Sequence, residues 1–398
     1  MLIDREIFDD THREFRRSVR GFLARELVPH MEEWNEAGVV PREFWRKCGE
    51  QGLLSPSVPA AYGGAECDFF YNAIIIEEAG YTGFTGWGVG VHSDIVTDYV
   101  RHYGTEEQKR YWLPKFMSGE AIAAIAMTEP GTGSDLRGIR TTAVEDGDEF
   151  VISGSKTFIS NGQTADVVIV VARLSSGGAD LGLSLFLVEA ERAGFRRGRN
   201  LRKLGMKGQD TSELFFQDVR IPRSNLLGTP GRGMSMLMAS LPQERLSIAL
   251  LALSGAQKAF DITVDYVLNR RAFGVRIADF QNTKFKLADL KTQIAVGWAY
   301  LDQSLVRHVR GELTADDAAM LKLWTTEMQG RVVDECLQLH GGYGYMHEYE
   351  ISRLYADARI QRIYGGTSEI MREIIGRTIV PIERPAEGPA RSTPALAG

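Results

Sequence analysis

The sequence predicts an α+β protein built in three successive parts, helical, then β, then helical. Two observations carry that reading. The spacing of apolar residues changes from three-and-four to short β-branched runs near residue 121, and changes back near residue 233. With 398 residues and 44% hydrophobic content, the chain is also long enough to bury more than one core. The expected organisation is an N-terminal α-helical domain over 1–120, a central β-barrel or sandwich domain over 121–232, a C-terminal four-helix bundle over 233–380, and a disordered tail over 381–398.

In the first part, Phe15, Val19, Phe22, Leu23 and Leu27 recur at helical spacing within a helical pattern that starts at Phe8, and Pro29 marks its end or a kink. A second helix is predicted over Glu43 to Gln51, a loop over Pro56 to Gly64, and a third, buried helix around Ile74-Ile75-Ile76. Thr105 followed by Gln108 has the form of a capping box. In the second part, strands are predicted over Ala121 to Thr128, Ile139 to Val144, Glu149 to Ile152, Lys156 to Ser160, Asp166 to Ala172, Leu183 to Glu189 and Glu213 to Ile221. Asp146-Gly147, Ser153-Gly154, Asn161-Gly162 and Gly177-Gly178 serve as turns between several of them. In the third part, Leu246, Leu250, Leu253, Phe260, Val264 and Val267 form one stripe, and further helices are expected over Thr283 to Val309, Thr314 to Leu339 and Thr367 to Thr378. From Pro381 the chain has four prolines and no aromatic residue, the composition of a disordered tail.

Composition removes several classes of function. A net charge of −6 and a pI near 5.8 argue against a nucleic-acid or anionic-membrane surface. Cys48, Cys67 and Cys336 are widely spaced and contain no Cys-x-x-Cys pair, so neither a disulfide framework nor a zinc site is expected and a reducing compartment is. The histidines never fall at metal-ligand spacing on one helix, so no metal is expected. Asp4, Glu6, Asp9, Asp10 and Glu14 make the first residues unlike a transit peptide, and no apolar run approaches the roughly 18 residues of a membrane span. The cytoplasm, without membrane insertion, is the expected location.

The stretch that organises the rest is Met127-Thr128-Glu129-Pro130-Gly131-Thr132-Gly133-Ser134-Asp135. Gly131 and Gly133 permit positive φ and close backbone approach, while Thr128, Thr132 and Ser134 bring hydroxyls beside free peptide N–H groups, a loop suited to a phosphate or the edge of a flavin. The string resembles the Thr-Glu-Pro-Gly-x-Gly-Ser-Asp signature of the acyl-CoA dehydrogenase family, and the likeness runs from about Asp4 to Val380. The α–β–α architecture is what the family has.

The resemblance implies FAD as cofactor, acyl-CoA as substrate and a homotetramer that passes electrons to an electron-transferring flavoprotein. It implies Met127, Thr128 and Gly133 along the flavin, and Ser134 at its diphosphate or the substrate's pantetheine. Phe158 and Ser160, in Phe158-Ile159-Ser160-Asn161-Gly162, resemble the second flavin strand, with Phe158 standing where many relatives have Trp. Arg270, Phe273 and Gln281, together with Gln338, Gly341 and Gly342, resemble groups that reach the ADP half from a neighbouring subunit. Thr367 and Glu369 resemble residues on the adenine or ribityl side. Arg270 offers a bidentate fork to phosphate, and the glycines let backbone approach.

Forming a double bond between two carbons needs a base for the α-proton, a hydride acceptor, and donors to the enolate oxygen. No amino acid accepts hydride, so a cofactor is required. Many short- and medium-chain relatives place the base in a Tyr-Glu-Gly-Thr string, which here reads Tyr364-Gly365-Gly366-Thr367 and has no side chain to act. Long-chain and isovaleryl-type members carry it instead on a helix, here Leu241-Pro242-Gln243-Glu244-Arg245-Leu246, which makes Glu244 the expected base. Ser240 to Gln243 also reads as a capping box with Pro242 in a first helical turn, which would make Glu244 an ordinary N-terminal acid. Gly365 would supply the oxyanion N–H, with Gly366 and Arg245 near the substrate. Trp87 is either a wall of the acyl tunnel or plain core. Branched acyl chains such as isovaleryl- or citronellyl-CoA, a flavin oxidase on the same fold and a non-catalytic acyl-CoA-binding relative remain alternatives. A nicotinamide enzyme is disfavoured because strand-like sequence follows Gly131 and Gly133.

Overall fold

The computed structural model describes residues 5–380, so the expected tail lies outside the described residues. Six helices come first: α1 (Asp10–Glu26), α2 (Met31–Ala37), α3 (Arg42–Glu50), α4 (Phe69–Tyr81), α5 (Thr97–Tyr103) and α6 (Glu106–Ser118). Helix α1 begins at Asp10 rather than Phe8 because the Asp9 side chain accepts from the His12 N–H at 2.9 Å and caps it. The predicted capping box at Thr105 is present and starts α6. A π-helical turn over Gly90–Val96 leads directly into α5.

Helix α4 is apolar nearly all round because it joins two cores. Its Ile74 and Ile75 pack with the aromatic cluster of Phe22, Trp34, Phe44 and Trp45. Ala73 and Ile76 face the C-terminal helices. Its two acids, Glu77 and Glu78, are buried and take the guanidinium groups of Arg5, Arg16 and Arg20, while Arg5 also reaches Asp302 at 2.6 Å. This network ties the start of the chain to the last third.

Strands β1 (Ala123–Ala126), β2 (Thr142–Asp146), β3 (Glu149–Ser160), β4 (Val167–Ser176), β5 (Ala179–Glu189), β6 (Phe195–Asn200), β7 (Thr211–Pro222) and β8 (Leu226–Leu227) form one eight-stranded sheet. Its order is β6-β7-β3-β2-β4-β5-β8, with β1 continuing the β2 edge of β4. Alternate residues of β4 serve two cores. Val167, Ile169 and Val171 face Tyr99, Val100 and Phe116, whereas Val168, Val170 and Ala172 meet Phe150, Ile152 and Phe216 from other strands. The second core is made of sheet residues, as in a sheet that curls over itself.

Two expectations fail here. Ser153-Gly154 is not a turn: β3 runs through it, and a register shift lets Gly154 sit where a Cβ would come 2.5 Å from Thr141 Oγ1. Strand β6 was not expected, because Phe195–Asn200 carries three arginines on the sheet's edge and shows no apolar alternation.

The remaining helices are α7 (Gly233–Asn269), α8 (Gln281–Val309), α9 (Ala315–His340), α10 (Glu350–Ala358) and α11 (Ser368–Ile379). Between α7 and α8, β9 (Arg271–Ala272) and β10 (Val275–Arg276) make a small hairpin whose turn residues Phe273 and Gly274 take φ of 54° and 82°. Helix α7 is long and apolar enough, by length and composition, to cross a membrane, contrary to the expectation from the sequence. Its Leu246, Leu250 and Leu253 pack instead with Leu290 and Trp298 of α8 and with Leu321 and Met328 of α9.

The α4 network sets a stability contrast. Glu78→Ala leaves Arg20 without its acid and Arg16 with Glu77 alone, and is expected to lower unfolding free energy by about 3 kcal/mol. Arg220→Ala, which breaks exposed pairs to Asp146 and Glu149, is expected to change it by under about 1 kcal/mol. Urea unfolding of both variants checks the difference.

Candidate active site

The Gly-rich loop is pinned from below by Glu129, which the sequence reading passed over. Its carboxylate accepts from the Arg140 N–H (2.8 Å), the Thr141 N–H (2.9 Å), the Thr141 hydroxyl (2.5 Å) and the fully buried Lys156 ammonium (2.8 Å). These donors outweigh desolvation and hold its pKa below the ordinary value. Lys156 also donates to the Met127 carbonyl at 3.1 Å. Gly131 and Gly133 do not take positive φ; a Cβ on either would meet nothing within 4 Å, so the loop is open there. The Thr132 hydroxyl is spent on the Asp135 carbonyl and is not a free donor.

The loop adjoins β3 where the Thr157 N–H bonds to the Thr128 carbonyl at 2.9 Å. There the strand bulges between Lys156 and Ile159, and Phe158, at φ 61°, turns its ring outward to 68% exposure. Met127, Thr128, Phe158 and Ser160 thus share one region of surface, with Gly133 and exposed Ser134 at its rim. Met127 also packs against the cluster containing Tyr99, which α7 enters through Met236 and Leu237.

Three turns inside α7 lies Glu244, so it is not the N-terminal acid that a capping box at Ser240 would make it. Pro242 is inside the helix, not in its first turn. Glu244 is buried at 5% exposure with one hydrogen-bond partner among the described residues, the Tyr99 hydroxyl at 3.3 Å. Burial raises its pKa to about 7, against the smaller opposing effects of Tyr99 and Arg245. Arg245 is buried too, makes no ion pair among the described residues, and leaves its Nε without a partner.

Around this segment is a polar network absent from the sequence reading. The Gln243 amide donates to the Asp94 carbonyl (2.6 Å), the Ser247 hydroxyl to the Asp94 carboxyl (3.0 Å), and the Asn72 amide to its other oxygen (2.7 Å). Asp94 lies on the π-helical turn and burial raises its pKa to about 7. These bonds hold α7 against the first helical part on both sides of Glu244.

Gly365 and Gly366 take φ of 62° and 94°, Gly365 against α7 and Gly366 against Ile370 and Met371 of α11. A Cβ on Gly365 would come 2.3 Å from Ile248 Cδ1. Ile248 is one turn beyond Glu244, so a side chain at 365 would have to displace the Ile248 δ-methyl on the helix that carries the acid. Thr367 spends its hydroxyl capping α11, accepting from the Ile370 N–H at 3.2 Å, and Glu369 is exposed on that first turn.

The residues expected at the ADP half gather elsewhere. Arg270 ends α7 with its guanidinium 5.5 Å from the Tyr343 ring centroid, Phe273 is 96% exposed on the hairpin, and Gln281 opens α8. Gln338, Gly341 and Gly342 close α9, where His340 stacks on Tyr266 at 4.2 Å. Trp87 is core: its ring meets Phe44 and Trp45 in the N-terminal aromatic cluster.

The sequence matches the acyl-CoA dehydrogenase N-terminal domain over residues 9–120, the middle domain over 124–219 and the C-terminal domain over 231–380. It is 50% identical over 378 residues to the mitochondrial long-chain specific acyl-CoA dehydrogenase of Sus scrofa, covering 94% of this chain and 88% of that protein. The crystal structure of an acyl-CoA dehydrogenase from Geobacillus kaustophilus superposes with a TM-score of 0.92 at 46% identity, covering 95% of this chain and all (100%) of that one. An acyl-CoA dehydrogenase from Bacillus anthracis, solved in complex with FAD, gives 0.88 at 31% identity, covering 95% and 68%. With three domain matches spanning nearly all the described residues and half its positions identical to a long-chain enzyme, the chain belongs to the acyl-CoA dehydrogenase family of oxidoreductases, in its long-chain group.

Proposed function

We propose that this protein catalyses α,β-dehydrogenation of long-chain acyl-CoA thioesters to trans-2-enoyl-CoA, with Glu244 as the base. The observation that carries the reading is a buried carboxylate whose pKa is brought to about 7, beside a two-glycine turn that has no side chain to compete for the role. A base must be ionised at working pH yet basic enough to take a weakly acidic proton, and desolvation supplies that balance. FAD, as in the Bacillus anthracis relative, supplies the hydride acceptor. The region formed by Met127, Thr128, Phe158 and Ser160 suits it, since an outward aromatic ring beside hydroxyl and backbone groups matches a flat, polar-edged ring system.

In the reaction Glu244 takes the α-proton and the β-hydrogen leaves as hydride, so two electrons and two hydrogens leave the substrate. The Gly365 N–H is the protein's donor to the thioester oxygen, and Arg245 acts on Glu244 electrostatically rather than on a solvent-exposed CoA phosphate. Electrons then pass to an electron-transferring flavoprotein.

Assembly as a homotetramer accounts for the second cluster. Glu244 and Arg270 are separated along α7 by about 39 Å, at about 1.5 Å per residue. Arg270, Phe273, Gln281, Gln338, Gly341 and Gly342 therefore serve a cofactor bound by another copy. Phe273, almost wholly exposed here, is covered in that assembly.

Anaerobic titration with straight and branched acyl-CoAs, following the oxidised-flavin absorbance, tests the reading. Wild type is expected to bleach best with long straight chains. Glu244→Gln, nearly isosteric, should slow reduction on the order of 10³-fold or more while retaining flavin; bleaching at the wild-type rate would move the base elsewhere.

The raised pKa also fixes a pH profile. Because Glu244 works as the anion, kcat/KM should rise about tenfold per pH unit below about 7 and level off above it. A profile flat from about pH 5 to about pH 8 would contradict a desolvated base.

Moving the base is a third test. Glu244→Gly with Gly365→Glu should leave little activity, because Ile248 holds the space and position 365 has positive φ. Adding Ile248→Ala is expected to recover at least tenfold in flavin reduction rate.

A further inference from the structure

Lys322, on α9, is fully buried, yet its ammonium makes no ion pair among the described residues. Its neighbours along the helix, Ala318, Ala319, Leu321, Thr325 and Thr326, are buried as well. An apolar side chain of the same length would fit such a position without the penalty of desolvating a charge. What the ammonium does instead is donate one hydrogen bond, 2.6 Å long, to the Gly366 carbonyl.

That carbonyl belongs to the least constrained stretch of backbone at the site. Gly365 and Gly366 are consecutive glycines, both at positive φ, and glycine has no Cβ to restrict them. The flanks are anchored: the Tyr364 hydroxyl donates to the Gln361 amide oxygen at 2.7 Å, Thr367 caps α11, and the Ser368 hydroxyl donates to Glu327 at 2.7 Å. Between those anchors, Lys322 is the side chain that holds the peptide.

We propose that Lys322 is a positioning residue for the oxyanion donor: by fixing the Gly366 carbonyl it locks the Gly365–Gly366 turn with the Gly365 N–H turned to the substrate's thioester oxygen. The inference rests on the dehydrogenase reading above. Charge supports it. Arg245 lies close enough to oppose the charge on Lys322, while Glu327 and Glu369 act on it only from beyond ion-pair distance. Arg245 adjoins the acid that takes the proton and Lys322 lies within electrostatic reach of Arg245, so the glycine turn is held from a cationic side. Burial and Arg245 lower the Lys322 pKa to about 8, so it is still an ammonium at neutral pH.

The test uses the flavin-loaded enzyme and a 3-thia-acyl-CoA, which has an acidified α-carbon but no β-hydrogen to surrender. Its ionisation in the site, read as a long-wavelength charge-transfer band, reports enolate stabilisation without turnover. For Lys322→Met we expect kcat lowered on the order of 10²-fold, KM within about threefold, unchanged flavin content and loss of the band at matched pH. Lys322→Gln, which keeps a donor, should regain most of both. A Met variant with wild-type kcat and band overturns the proposal, as does one whose loss follows flavin content or melting temperature alone. Should the Met variant not accumulate, Lys322→Ala with added propylamine, the fragment removed, decides: return of the band with amine is expected, and no return overturns the assignment. If wild type ionises the thia analogue but no acyl-CoA bleaches its flavin, the dehydrogenase reading fails instead, and the Lys322 comparison still stands on the band.

Discussion

Desolvation of Glu244 is the constraint on which the rest of the site depends. Another buried glutamate, Glu129, lies under the Gly-rich loop, and the two pKa values move in opposite directions. Burial opposes the charge on both. At Glu129, four donors within 2.9 Å, one of them a lysine, overcome that opposition and fix a permanent anion that braces the Gly-rich loop. At Glu244 a single 3.3 Å bond from Tyr99 does not, and the carboxyl stays poised between its two forms. One side chain type becomes a structural tie in one place and, in the mechanism proposed above, a proton acceptor in the other, through the number and charge of its donors.

A poised acid is useful only if it is held still, and here the neighbouring helix residues do the holding. Gln243 and Ser247 bond to Asp94 on either side of Glu244, and Leu246 and Leu250 bury the opposite face in the C-terminal core. Asp94 enters on a π-helical turn, a form that recurs at functional sites because the extra residue redirects side chains. The same stretch of α7 presents Ile248 to Gly365. The position of the acid and the lack of a side chain at 365 are therefore two aspects of one packing arrangement.

That arrangement shows what a sequence discloses and what it hides. The order of the elements was legible because helical periodicity survives in α1, α7 and α8, while β4, buried on both faces, stands out as an unbroken β-branched run. That position 365 offers no acid was also legible, since Tyr364-Gly365-Gly366-Thr367 has none; the burial that makes Glu244 the proposed base was not. The true start of α7 was not, because Pro242 imitates a first turn, whereas the helix begins at Gly233. Strand β6 was hidden by its arginines, and the unbroken course of β3 by Gly154, whose role is to let residue 141 approach. Asp94, Lys156, Lys322 and Tyr99 were invisible for a common reason. Each acts through a partner distant in sequence, and nothing local marks a buried polar residue as different from an exposed one.

These buried groups work against folding. Glu244, Asp94, Arg245 and Lys322 each lie in surroundings that disfavour their charged form. They are tolerated because they occur where three parts of the chain meet and large apolar cores flank them: the aromatic cluster around Trp34 and Trp45 on one side, the α7–α8–α9 cluster on the other. Helix α4 contributes to both cores and carries the paired acids Glu77 and Glu78 on its remaining surface. Glu244 and Arg245 are charges left with few partners among the described residues, whereas Glu129, Glu77 and Glu78 are fully paired. In the proposed reaction a neutral thioester gains negative charge, so the buried Arg245 cation next to Glu244, with no ion pair among the described residues, favours the enolate over the resting substrate.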